Sequence, residues 1–188
     1  MNFSPSKNLG FDMISDVELI KSLQRIRLIA FDVDGVLTDG GVYVGQEREL
    51  KRFDIKDGHG IAVAQRAGIT FALVSGRAST ATDVRAKELG ITEVHQGVRD
   101  KKSVLAGIAA RAEVTADQVL FMGDDIQDLG VMAWAGCSAA PCDASPEVLS
   151  RAMIVTKLPG GRGAAREVIE LVLKAQGSWR AVLEAYLR

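Results

Sequence analysis

The chain has 188 residues, 47% of them apolar and 25% charged, with a formal net charge of −1. That length suits one globular domain able to bury its own core, and the near-neutral balance excludes a general binder of nucleic acid or anionic membrane surface. Two cysteines, Cys137 and Cys142, are too few for a disulfide framework, and no leader-like start or run of about 18 apolar residues is present, so no membrane partner is expected and the cytoplasm is the expected location.

Residues 1–12 mix Ser, Pro, Asn and Gly without periodicity and are expected to form a loose arm. Ser15 followed by Glu18 has the form of a capping box and predicts a short helix to about residue 24. Residues 26–31 are mostly aliphatic or aromatic, as in a strand covered on both faces, and the run ends abruptly at Asp32 and Asp34, with Gly35 after them. Residues 40–53 alternate Val42 and Val44 around Tyr43 and turn near Gly45 and Gln46, which predicts a β-hairpin inserted beside the acids. A helix is expected from about Gly58 to Ala67, with Gly68 past its end, and residues 70–74 form the second apolar strand.

From there strands and helices alternate. Ser75 ends the second strand and a helix over 80–89 follows; 92–95 is a short third strand; Asp100 caps a helix over 101–112; 119–122 is a fourth strand, ending in Gly123-Asp124-Asp125 and leading to a helix that ends near 135. Short strands at 137–140 and 153–155 bracket a helix opened by Ser145-Pro146, with Pro at its favoured first position. Residues 157–188 supply a glycine-rich segment, a helix over 164–175 and a last amphipathic turn beyond Gly177. This alternation predicts an α/β fold, a Rossmann-like doubly wound parallel sheet in a single domain spanning 1–188.

In such a sheet the carboxyl ends of the strands share one edge, so Asp32, Asp34, Ser75, Lys101 and Asp124 with Asp125 and Asp128 converge there. Carboxylates from two strands suit Mg²⁺, which takes one or two carboxylates and phosphate oxygens and keeps several waters. A carboxylate is also a competent covalent nucleophile, while a lysine and a hydroxyl steady the phosphoryl oxygens. The bland readings are specific: Asp-x-Asp and Ser75-Gly76 as turn signals, Lys101 and Lys102 as a solvated helix start, Asp128 as a helix-face charge, and Gly160 to Gly163 as a helix lead-in. Against the solvated helix start, cations are mildly disfavoured at a helix N-terminus, which favours a phosphate partner for Lys101. His59 and His95 have no second His or Cys at ligand spacing.

The Asp32-Val-Asp-Gly-Val36 stretch, Ser75, Lys101 and Gly123-Asp-Asp-Ile-Gln-Asp128 resemble, in order, the four motifs of the haloacid-dehalogenase superfamily of phosphohydrolases. The resemblance implies that Asp32 attacks phosphorus to give an aspartyl-phosphate, that Asp34 is the acid and then the base, and that Asp32, the Asp34 carbonyl and Asp124 hold Mg²⁺. The intervals from Asp32 to Ser75 and from Ser75 to Lys101 already hold a helix and a strand each, which leaves no room for a cap domain. Nearly the whole chain resembles one capless group, the 3-deoxy-D-manno-octulosonate 8-phosphate (KDO 8-phosphate) phosphatases of lipopolysaccharide synthesis. Asp54-Ile-Lys-Asp-Gly58, Val74-Ser-Gly-Arg77 and Gly160-Gly-Arg-Gly-Ala-Ala-Arg-Glu167 sit where that group has comparable segments.

That group implies a sugar-acid phosphate as the small-molecule partner, a pocket lined by Asp34, Asp54, Ile55, Lys56, Asp57, Gly58, Arg77, Arg85 and Lys101, and a homotetramer. It also implies that the glycine-rich segment with Arg162 reaches a neighbouring copy's site. Where the group often has a basic residue near position 62, this chain has Ala62, which leaves more of the carboxylate recognition to Arg77. The same motifs also suit a nonulosonate 9-phosphate phosphatase. A phospho-receiver module combines similar groups, but its phosphoacceptor Asp would end a strand where this chain has Val74-Ser75.

Overall fold

A computed structural model describes residues 17–45 and 49–187. The arm over 1–12, the Ser15 cap and Gln46 at the hairpin turn lie outside the described residues. Along the chain come α1 (Val17–Arg25), β1 (Leu28–Phe31), β2 (Tyr43–Val44), β3 (Glu49–Leu50), α2 (Ile55–Arg66), β4 (Thr70–Val74), α3 (Thr80–Glu88), β5 (Glu93–His95) and α4 (Lys101–Arg111). They are followed by β6 (Val119–Met122), α5 (Leu129–Trp134), β7 (Cys137–Ala140), α6 (Pro146–Leu149), β8 (Ile154–Val155), α7 (Ala164–Ala175) and α8 (Trp179–Tyr186).

Six strands form one parallel sheet in the order β5-β4-β1-β6-β7-β8. The chain winds outward from β1 through β4 to β5, then returns to β6 on the other side of β1 and winds out again to β8. The winding direction therefore reverses between β1 and β6, and a parallel sheet opens a crevice at the carboxyl ends of such a pair. Asp32 follows β1 and Asp124 stands just beyond β6, so this topology puts the two acids at that crevice.

Each inner strand is buried on both faces, which is why its sequence is a continuous apolar run. One face carries Ile29, Phe31, Phe71, Leu73, Leu120 and Met122 against α1, α2 and α7; the other carries Ala30, Ala72, Val74 and Phe121 against α4 and α5. Phe31 stacks on Phe71 with ring centroids 5.9 Å apart. Truncating either Phe31 or Phe121 to Ala in such a core costs about 3–5 kcal/mol.

The expected insertion over 40–53 is present as a small antiparallel ladder, Tyr43 opposite Leu50 and Val44 opposite Glu49, separate from the main sheet. Tyr43, Val44 and Leu50 are exposed, so the hairpin has no apolar core of its own. The helix expected right after β6 begins instead with a 3₁₀ turn at Ile126–Asp128. Asp125 and Asp128 cause this, because their side chains accept the first backbone N–H groups and tighten the turn. Among the described residues no cap domain stands over the sheet, and none of the helices is long and apolar enough to cross a membrane.

Candidate active site

Asp32 is fixed at three points. Its backbone N–H donates to the Met122 carbonyl at 3.0 Å, its Oδ1 accepts the Val33 N–H at 2.6 Å, and its Oδ2 accepts from Lys101 Nζ at 2.6 Å. Lys101, the first residue of α4, is buried and also donates to Asp128 Oδ1 at 2.6 Å. Asp128 spends its other oxygen on the backbone N–H groups of Asp124 (3.1 Å) and Asp125 (3.4 Å). Both Asp128 oxygens are thus engaged, and its part is to set Lys101 and the loop after β6. Gly123 makes room for it, since a Cβ there would lie 2.5 Å from the Asp128 side chain.

Asp124 is left differently. Its Oδ1 is buried without any hydrogen-bond donor, while Gly35, at φ +80°, packs so closely that a Cβ would stand 2.0 Å from Asp124 Oδ2. Oxygens of Asp32, Asp124 and Asp128 lie within 4.8 Å of one another. Burial, then repulsion from Asp32, Asp128 and Asp125, pushes the Asp124 carboxyl up to about 7. Burial, then Asp128, pushes Asp32 up to about 6 in spite of Lys101. Burial works against the Lys101 charge, but Asp32 and Asp128 outweigh it and hold its pKa above the ordinary lysine range. Three acids sharing one lysine leave excess negative charge in a dry pocket, and an unpartnered carboxylate oxygen there fits a hard divalent cation.

The Asp34 side chain belongs to a second cluster of charges. Lys51 Nζ stands 2.8 Å from Asp34 Oδ1 and 3.0 Å from Oδ2, and Arg77 Nη1 is 4.0 Å away. Arg77 itself donates to Glu49 Oε2 at 2.7 Å. Ser75, buried at the end of β4, donates its N–H to the His95 carbonyl at 2.9 Å and accepts the Arg77 N–H on Oγ at 3.3 Å. Lys51 and Glu49 were not foreseen from sequence. Their signal was the alternation at 49 and 51, which puts both side chains on one face of the hairpin.

The remaining predicted pocket residues gather at the start of α2. Asp54 caps it, its Oδ1 accepting the Lys56 N–H at 2.7 Å, and Ile55 and Lys56 are exposed on the rim. Asp57 is buried and turned the other way, accepting the Gly163 N–H at 3.2 Å and the Arg166 N–H at 2.7 Å, so it closes the N-terminus of α7. Burial pushes its carboxyl up to about 6. Arg85 is engaged beneath, donating to Glu88 at 2.8 Å and to the Asp54 carbonyl at 3.4 Å, with Phe53 against its guanidinium. Gly58 leaves room for that guanidinium, since a Cβ would stand 2.1 Å from Arg85 Nη2.

The glycine-rich segment, expected to reach a neighbouring copy, packs on the chain's own Asp loop. Gly161 donates its N–H to the Val36 carbonyl at 2.9 Å and accepts from Arg52 at 2.9 Å, while Gly160 donates to Asp143 Oδ1 at 2.9 Å. Two glycines in succession permit this approach, for a Cβ on Gly160 would fall 1.9 Å from the Gly35 carbonyl oxygen. Arg162 stands half-exposed, 3.8 Å from Asp39.

A family model described as haloacid dehalogenase-like hydrolase matches residues 90–167. The 3-deoxy-D-manno-octulosonate 8-phosphate phosphatase of Yersinia pestis is 42% identical over 160 residues, covering 85% of this chain and 86% of that protein. The corresponding phosphatase of Escherichia coli K12 is 40% identical over 161 residues, with the same coverage. Among solved structures, the phosphatase of that name from Moraxella catarrhalis, crystallised with magnesium, phosphate and KDO, superposes with a TM-score of 0.88 at 35% identity, over 90% of this chain and 98% of that one. With full-length similarity of this order on top of the shared fold, the chain belongs to the haloacid dehalogenase-like hydrolases, in the family of the 3-deoxy-D-manno-octulosonate 8-phosphate phosphatases.

Proposed function

We propose that the chain hydrolyses KDO 8-phosphate to KDO and inorganic phosphate, with Mg²⁺ as its cofactor. The observation that carries this reading is the buried Asp32–Lys101–Asp128 group beside an Asp124 oxygen without a donor. The substrate follows the named function of relatives about 40% identical and the KDO bound in the Moraxella catarrhalis structure.

Asp32 is the nucleophile. Its carboxylate oxygen bonds to phosphorus as the bond from phosphorus to the sugar oxygen breaks, and Asp34 gives a proton to that leaving oxygen. Asp34 then takes a proton from water, the water oxygen attacks phosphorus, and the bond to Asp32 breaks to release phosphate. Lys101 and Ser75 steady the phosphoryl oxygens. Asp32, the Asp34 carbonyl and Asp124 would hold Mg²⁺, which when bound offsets the charge of the acids and of the phosphate dianion. At the sugar end, Arg77 is the group best suited to the acid's carboxylate, through two parallel hydrogen bonds. Ile55 and Lys56 complete the rim, and Asp54, Asp57, Gly58 and Arg85 form the frame behind it. We further propose a cytoplasmic homotetramer, assembled through the exposed Tyr43, Val44 and Leu50 of the hairpin, because an isolated hairpin is marginal unless it packs on something.

Phosphate release over a substrate panel tests the reading. KDO 8-phosphate should turn over far faster than glucose 6-phosphate or p-nitrophenyl phosphate. A nonulosonate 9-phosphate that turns over faster still would replace the substrate and keep the chemistry.

A further inference from the structure

Lys51 is the most unexpected charge in the molecule. It stands on a hairpin with no apolar core, yet its side chain is 0% exposed. A lysine with nothing to gain from packing is buried only where its charge is used, since an ammonium taken out of water is costly unless closely paired. Its Nζ is within 3.0 Å of both Asp34 oxygens and 3.8 Å from Glu49 Oε1, and the other oxygen of Glu49 is tied to Arg77. The next cation among the described residues is Arg77, 4.0 Å from Asp34 Oδ2. Asp34 sits on a loop, and among the contacts of its side chain those with Lys51, at 2.8 and 3.0 Å, are shorter than that with Arg77.

We propose that Lys51 is a positioning residue for the acid/base carboxylate of Asp34, held in turn by Glu49. Each acid then has its own lysine: Lys101 from the core sets Asp32, and Lys51 from the hairpin sets Asp34. This rests on the phosphatase reading above but not on the identity of the sugar. Lys51 keeps the Asp34 oxygens at one place through both half-reactions, first when the proton leaves Asp34 for the departing oxygen and then when it returns from water.

The test is a double-mutant cycle on the full-length protein with p-nitrophenyl phosphate and Mg²⁺. Its leaving group departs without a proton, so in Asp34→Asn the first half-reaction is spared and only the water step loses its base. Lys51→Met should lower kcat by about tenfold or more, within the range general acid–base groups contribute, with KM changed by less than about threefold. In the Asp34→Asn background the same change should cost almost nothing further, and Lys51→Arg should recover most of the loss. A loss that persists undiminished in Asp34→Asn, or that appears in KM alone, would make Lys51 a direct substrate contact or a structural prop and overturn the proposal. So would full activity in Lys51→Met. Glu49→Gln is the second variant, leaving Lys51 in place but loosening it, and should show a smaller kcat loss of the same kind; an unchanged kcat counts against the proposal. If the wild type cleaves p-nitrophenyl phosphate but not KDO 8-phosphate, the substrate reading fails while the cycle still decides the role of Lys51.

Discussion

Asp32 and Lys101 face each other at 2.6 Å, both almost wholly buried. Asp32→Asn is nearly isosteric and retains an acceptor for Lys101, so the fold should survive while the proposed nucleophile is lost. Turnover should fall by at least about a thousandfold with an unchanged circular-dichroism spectrum, since removal of a covalent nucleophile costs several orders of magnitude. More than a tenth of wild-type activity would contradict the role. Gly35 is the complementary case. Its positive φ and its contact with Asp124 leave no space for a methyl group, and strain of roughly 1–2 kcal/mol attends a left-handed residue with a Cβ. Gly35→Ala should displace the Asp124 carboxylate and raise the Mg²⁺ concentration needed for half-maximal activity; an unchanged Mg²⁺ titration would remove Asp124 from the cation site.

Among the elements, Asp57 joins the first turn of α2 to the first turn of α7, and α7 follows directly on the glycines that brace the Asp loop. Asp57→Ala strips two helix N-terminal N–H groups of their acceptor, a loss of about 1–3 kcal/mol for buried groups, measurable as a lower denaturant midpoint. An unchanged midpoint would show that water replaces the carboxylate. The inner strands and α7 were readable from sequence almost residue for residue, because β4, β6 and β7 are short, largely apolar runs beside Ser75, Gly123 and Gly136, and α7 is an amphipathic run opened by Gly163. Asp32, Lys101 and Asp124 were readable for a related reason: a parallel sheet converts the end of a strand into a position at one edge. Lys51 was not, and neither was the tie that Asp57 makes to α7. Asp57 meets Gly163 and Arg166 more than a hundred positions on, and the alternation that pairs Glu49 with Lys51 says nothing of Asp34, which Lys51 meets from outside the sheet.

For the molecule as a whole, the raised carboxyls set a pH dependence. In the folded chain Asp32 and Asp57 lie at about 6 and Asp124 at about 7, above the ordinary value of 3.8. Between about pH 4 and 7 the native state therefore holds protons that the unfolded chain has released, and stability falls as pH rises through that window. Lys101, whose pKa is raised, keeps its contribution throughout it. The metal-free protein should melt at a higher temperature at pH 5 than at pH 8, and Mg²⁺ should recover the difference at pH 8, because the ion binds the deprotonated acids. A melting temperature that rises with pH without metal, or ignores Mg²⁺, would contradict this. For the same reason chelation by EDTA should abolish phosphate release, and added Mg²⁺ should restore it.

The β2–β3 hairpin is attached to the rest of the molecule by ion pairs and turns rather than by buried apolar area. Opening such a segment costs far less than unfolding the sheet, and its free energy is set separately from that of the core. With Lys51 on it, catalysis and folding have different thermal ceilings. On heating, activity should fade reversibly several degrees before the sheet melts, and raised salt, which screens exposed ion pairs such as Arg77–Glu49, should widen that gap. Coincident loss of activity and of far-ultraviolet signal at every salt concentration would show that the hairpin and the core open as one.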